Sequence, residues 1–388
     1  MNAREKFLRT MEFDISVPPP LYEMGWWIGT IRRWYNEGLP KIQGISEDLP
    51  SGESVRGPLM GGKRKCTDPG AVVNFDKGSE KLPLEHWIFP EFKPQILQEL
   101  GDRLVVIDEM GIKKKISREN DSIPEYYEWP VKNRDDWEKF KDQRLNPKTP
   151  GRYPENLDEV IETFENRDYP LSIGELPVGF FGSVRYLMGE VKLFTSYYDD
   201  PELVKQIIND LVDFWIELWR PVLSRMEVDW VNMWEDMCYK TGPLVSPQIF
   251  REFMLPAYQR FTSFLREMGV KHIIVDTDGN CWELIPLFLE GGATGLFPME
   301  VAAGMNVVEV RKQYPDLQIM GGIDKRVLIS GKKEIDEELE TKIPFMLKKG
   351  GYIPHVDHHI PPDVPLKNFV YYRNQLEEMI DKSQMWKK

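Results

Sequence analysis

Eight short apolar runs, each closing on or beside a carboxylate or a histidine, recur along this chain and limit what it can become. They are PLYEM (20–24), RLVVIDEMG (103–111), LSIGEL (171–176), DWVNMWED (229–236), HIIVDTDG (272–279), TGLFPME (294–300), QIMGGID (318–324) and GYIPHVDHH (351–359). Runs of this length without apolar–polar alternation suit strands covered on both faces. Between the last four lie amphipathic segments, WELIPLFLEGG, NVVEVRKQYP and EELETKIPFMLKKGG, each ending at Gly or Pro. Strand followed by helix, repeated, is the pattern of a parallel sheet. The repeats predict an α/β fold of the closed (β/α)8, or TIM-barrel, kind, in a single domain over residues 1–388 with an N-terminal extension and insertions. The interval 109–170 is too long for one crossover and is expected to hold an insertion.

In such a barrel the residues at the strand ends converge on one mouth, where variable loops build active sites. Here those residues are Glu23, Asp108, Glu109, Glu175, Glu235, Asp236, Asp276, Asp278, Glu300, Asp324, His355, Asp357, His358 and His359. Singly, each would serve as a helix cap or a solvated loop residue. A polar group at every strand end describes a site. Three of the chain's five histidines fall in PHVDHHIPP, where Pro361 and Pro362 fix the loop's exit. Asp276 and Asp278 alternate along their segment, so both are expected to aim the same way. His272 starts its strand and belongs to the opposite end.

Charge and composition narrow the class. A formal charge of −13 argues against nucleic acid and anionic membrane surfaces, which want basic patches. No window approaches the roughly 18–20 apolar residues of a membrane span. MNAREKFLRTMEF lacks the apolar core of a signal peptide. Cys66, Cys238 and Cys281 show no CxxC spacing, so reduced thiols in a cytoplasmic protein are expected. The segment DPELVKQIINDLVDFWIELWRPVLSRM starts on an Asp200 cap with Pro201 next, and its apolar stripe reads as core.

The closing stretch GGYIPHVDHHIPPDVPLKNF resembles the C-terminal motif of the uroporphyrinogen decarboxylase superfamily, in which Gly-His-Gly-Ile or Gly-Cys-Gly-Ile precedes Pro-Pro-Asp and then P…N. VDWVNMWEDM, LVSPQIFREFMLPAYQRF, VDTDGN and GGID extend the similarity along most of the chain, with only a loose match in the N-terminal third. The resemblance implies a single (β/α)8 barrel with its site at the C-terminal mouth, and either of two chemistries. Tetrapyrrole decarboxylases of the superfamily clamp their poly-acid substrate with an MRQAGRY-type motif. This chain has LYEMGWWIGTIRRWYNEGLP instead, with Glu23, Trp26 and Trp27 where charge-binding groups would be needed. Acid against acid in a poorly solvated pocket costs several kcal/mol.

The other branch, corrinoid-dependent methyltransferases, binds zinc through His-x-Cys after the fifth strand and a late Cys. Asp276, Asp278 and His358 hold those places here, so the resemblance implies zinc or another divalent metal on a harder ligand set. That suits an oxygen-bearing substrate, and WEDMCYKTGPLVSP looks more like the demethylating members. The expected function is methyl transfer from a small methoxylated or methylated compound to a corrinoid protein. A metal or an acid on the departing oxygen would lower the barrier. Glu235, Asp324 and His355 are the candidate catalytic groups, and Glu23, Trp26, Trp27, Trp234 and His359 the candidate substrate contacts. The corrinoid would be carried by the partner protein, and a homodimer is compatible with the chain. A decarboxylase or lyase, or a non-catalytic small-ligand barrel, are the alternatives.

Overall fold

The computed structural model describes residues 1–46, 49, 52–62, 64–117 and 124–385. Seven parallel strands form its central sheet: β1 (Glu80–Lys81), β2 (Leu171–Gly174), β3 (Trp230–Trp234), β4 (His272–Asp276), β5 (Gly295–Phe297), β6 (Gln318–Met320) and β7 (Tyr352–Ile353), neighbours in that order. Helices cover the sheet from outside, among them α1 (Pro201–Leu223), α2 (Leu255–Glu267), α3 (Lys332–Lys349) and α4 (Leu366–Met385). The fold is an α/β barrel of the (β/α)8 class. Asp200 caps α1 by accepting from the Leu203 N–H, and the buried stripe of that helix joins the core.

Alternation along the strands divides two cores. Val231, Met233, Ile273, Val275, Leu296 and Ile319 face the helices. Trp230, Ile274, Phe297, Met320 and Ile353 face inward and pack with Tyr22, Met24, Leu59 and Met60. Phe7 and Met11, from the helix Ala3–Met11, join this inner core beside the strand starts. A packed interior is normal for this architecture, whose functional face is the strand C-termini.

The gap between β7 and β1 is closed irregularly. Residues 20–24, expected as a strand, have no regular structure; Gly25–Trp27 pairs antiparallel with Ser54–Arg56. The Gly57 and Leu59 N–H groups donate to the Met24 and Glu23 carbonyls, and Ser79 N–H donates to the Pro58 carbonyl. On the other side Ile360 exchanges backbone bonds with Gly25 and Trp27. Close approach requires glycine here: a Cβ on Gly57 would lie 2.4 Å from the Glu23 carbonyl oxygen.

A second difference lies in the insertion. RLVVIDEMG, expected in the barrel, supplies Arg103–Ile107 of a separate four-stranded antiparallel sheet with Gln95–Leu100, Lys113–Ser117 and Glu125–Glu128. The barrel uses β1 in its place. Asp108 and Glu109 are thereby removed from the strand-end ring, and Asp108 caps its own turn through the Met110 and Ile112 N–H groups. Among the described residues no helix is long and apolar enough to cross a membrane.

Candidate active site

β3 and β4 run in register, which sets Trp234 directly beside Asp276 at their C-terminal ends. Asp276 follows Ile274 by two residues and so faces the same interior. Above them opens a cavity of about 280 Å³. Met24, Met60, Leu176 and Trp234 supply its apolar wall, and Arg56, Glu175, Asp236, Asp276, Asp278, His358 and His359 its polar one. The sequence-selected residues Asp276, Asp278, His358, His359 and Trp234 therefore meet in one place.

The acids there crowd one another. Burial, then Asp278 and Asp236, push the Asp276 carboxyl well above its usual range, against the opposing influence of Lys81 and Asn232. Asp278 is raised to about 7, again by burial first and then by Asp236 and Glu300, with Lys325 opposing. Neighbouring carboxylates in a poorly solvated site cannot all ionise, and the protons they retain belong to the group as a whole. His358 Nε2 lies 3.4 Å from Asp278 Oδ2, and its ring stacks on Trp27 at a centroid distance of 6.3 Å. Burial and Lys325 hold His358 below the ordinary imidazole range, and burial, His358 and Arg56 push His359 down to about 3. Both rings are neutral near pH 7. Arg185 Nη2 bonds Asp236 at 2.7 Å while lying over the Trp234 ring.

Five expected site residues lie elsewhere, each for a local reason. Glu23 turns away from the interior and accepts from Arg373, Tyr372 OH and the Val356 N–H. Gly25, at φ +157°, breaks the strand alternation, and Trp26 beyond it packs outward on Phe75 and Phe369. Glu235 is fully buried and accepts from Tyr258 OH at 2.6 Å and from the Phe180, Phe181 and Gly182 N–H groups. It anchors the start of the helix Gly182–Met188 rather than facing substrate. Asp324 is held by Arg326; burial disfavours its charge, but those bonds outweigh it and keep the carboxyl below its usual range. His355 is enclosed, with Nδ1 2.7 Å from the Val356 carbonyl oxygen, and burial pushes it down to about 4. Trp27 reaches the site only through its contacts with the two cavity histidines.

The positions matched to a metal set do not assemble one. Among the described residues no group of three or more His, Cys, Asp and Glu side chains is placed to hold an ion. Cys281 is buried, with its thiol pushed up to about 12, a poor source of thiolate.

Arg56 and Lys81 were not singled out from the sequence. Both lie in the Gly-rich interval 36–83, which has no apolar periodicity. The signal available there was glycine spacing: Gly57, Gly61 and Gly78 each meet a backbone carbonyl where a Cβ would go, as in a packed wall rather than a loose loop. Arg56 and Lys81 both ion-pair with Glu175. Burial, Arg56 and Lys65 push the Lys81 amine down to about 6.

A parallel barrel with acids and imidazoles gathered over its strand C-termini defines the class of α/β-barrel enzymes that work at that face. The family model for Uroporphyrinogen decarboxylase (URO-D) matches residues 93–378. The chain belongs to the uroporphyrinogen decarboxylase family. Among solved structures it is similar to a methyltransferase from Methanosarcina mazei, with a TM-score of 0.58 and 14% identity over 97% of this chain and 99% of that one. A 3-keto-L-gulonate-6-phosphate decarboxylase from Vibrio cholerae O1 biovar El Tor str. N16961 aligns with a TM-score of only 0.26 at 9% identity, over 58% of this chain and 80% of that one. The chain finds no match among curated proteins.

Proposed function

We propose that this protein is a methyltransferase that removes a methyl group from a small methoxylated compound and passes it to an acceptor seated over the barrel mouth, a corrinoid protein. The observation that carries the reading is a proton-holding aspartate pair facing an apolar wall. An ether oxygen is a poor leaving group until it receives a proton. Asp278, raised to about 7 by burial and neighbouring acids, can both hold and give up a proton near neutral pH. In the step, the methyl C–O bond breaks, the methyl group goes to the acceptor, and the oxygen takes the Asp278 proton to leave as an alcohol or phenol. Lys325, which already opposes the rise in the Asp278 pKa, steadies the carboxylate that remains. Trp234, Met24 and Met60 exclude water around the methyl group. The similarity of fold to a methyltransferase supports the same reading.

The experiment is single-turnover demethylation of 2-methoxyphenol with free cob(I)alamin as acceptor, following methylcobalamin by its spectrum and catechol by chromatography. Matched release of both products, falling by about two orders of magnitude in Asp278→Asn, is expected. Release of carbon dioxide from a porphyrinogen, with no methylated acceptor from any ether, would replace this reading with a decarboxylase.

A further inference from the structure

One wall of the cavity is basic, and it is occupied by the protein's own carboxylate. Arg56 ends the strand Ser54–Arg56 and Lys81 ends β1, so two separate elements bring their charges to Glu175. Arg56 Nη1 donates to Glu175 Oε2 at 3.0 Å. All three side chains are largely withdrawn from solvent, yet Arg56 and Glu175 line the cavity that holds Asp276 and Asp278. Glu175 itself sits at φ +100°, a conformation that side-chain-bearing residues rarely hold and that clusters at working sites. Its backbone is pinned by its N–H bond to the Asn232 carbonyl, at 2.8 Å, so only the side chain is free to turn aside.

We infer that the substrate carries one carboxylate, which takes the place of Glu175 on Arg56 and Lys81 and so points the substrate's methoxy group at Asp278. This rests on the methyl-transfer reading and adds the substrate class: a small methoxylated or methylated acid. A guanidinium offers a carboxylate two parallel bonds, and the lysine amine adds a donor whether or not it is charged. One guanidinium and one amine donor match one acid group. A poly-acid would leave its other carboxylates against Asp236, Asp276 and Asp278, where like charge repels. The cavity therefore has a basic end, at Arg56, that orients and an acidic end, at Asp236, Asp276 and Asp278, where the methoxy group is placed.

The test is calorimetric binding of 3-methoxybenzoate and of its neutral isostere 3-methoxybenzamide to wild-type protein, Arg56→Gln, Lys81→Met and Glu175→Gln, with each variant's folding checked by circular dichroism. The acid should bind wild type roughly tenfold or more tighter than the amide, and that preference should vanish in Arg56→Gln and shrink in Lys81→Met. Glu175→Gln separates the proposal from a merely structural ion cluster: removing the internal competitor should strengthen acid binding about tenfold. Equal binding of the two probes, binding of neither, or weaker acid binding in Glu175→Gln would overturn the inference. Acid preference without demethylation would leave it standing while sinking the methyl-transfer reading. Demethylation of neutral ethers with no acid preference would do the reverse.

Discussion

Glu23 and Asp276 are both buried carboxyls of the barrel wall, one turned outward and one inward, and their surroundings differ in kind. Glu23 meets donors only: Arg373 at 2.9 Å, Tyr372 OH at 2.9 Å and the Val356 N–H at 3.3 Å. Asp276 meets two further acids, Asp278 and Asp236. Burial favours the neutral form of both. Around Glu23 the donors counter part of that cost, and the result is a rivet between the N-terminal wall and α4. Around Asp276 the two acids add to it, with Lys81 and the Asn232 side chain opposing, and the neutral form is favoured. Glu235, with four donors, belongs with Glu23. The lesson is that a buried carboxylate is classified by what faces it, not by its place at a strand end.

The comparison breaks first at the rivet. Arg373→Ala strands Glu23 without its cation, and a loss of about 3–5 kcal/mol is expected by urea denaturation. A loss below about 1 kcal/mol would mean that Glu23 is already protonated and the ion pair nominal. At the mouth the opposite pattern is expected. Asp278→Asn should lower methyl transfer about two orders of magnitude while leaving the thermal midpoint unchanged or higher, since a repelling acid has gone. A variant both inactive and unstable would move Asp278 into Glu23's class. Tyr372→Phe removes one donor from Glu23 and should cost about 1.5–3 kcal/mol, with demethylation retained once folded.

The smallest effect is the most diagnostic of sign. Because the folded-state pKa of Asp278 is raised, folding binds its proton, and the stability it contributes is fully present below the ordinary 3.8 and lost as pH rises through about 7. Wild type should therefore lose stability over that window relative to Asp278→Asn, in paired denaturation curves. Glu23 is raised in the same direction, by burial against its donors, but it is common to both proteins and cancels in the paired curves. A wild type and variant with parallel pH profiles would show that Asp278 is ionised throughout.

How much of this was legible beforehand depended on the region. From β3 to β7 each apolar run was a strand, because continuous burial leaves little ambiguity there, and Asp236, Asp276, Asp278, His358 and His359 at their ends lay in the cavity wall. RLVVIDEMG carried the same signature into a different sheet: a short apolar run specifies a strand but not its partner. The face on which Glu23, Trp26 and His355 fall was not legible either. One glycine, Gly25, changes the phase of the wall, and the run itself says nothing about whether Arg373 waits outside it. Arg56 and Lys81 escaped because their neighbourhood is held by close backbone contacts between glycines and carbonyls, which leave no periodic trace.

The inner core, with Phe7 and Met11 at its base, has a kinetic consequence. A packed base closes the cavity on the side of the strand starts. If methyl transfer runs as proposed, an acceptor protein resting on the mouth would shut in the demethylated product. Turnover would then be ordered, donor in before acceptor on and acceptor off before product out, and excess acceptor should slow the enzyme rather than saturate it.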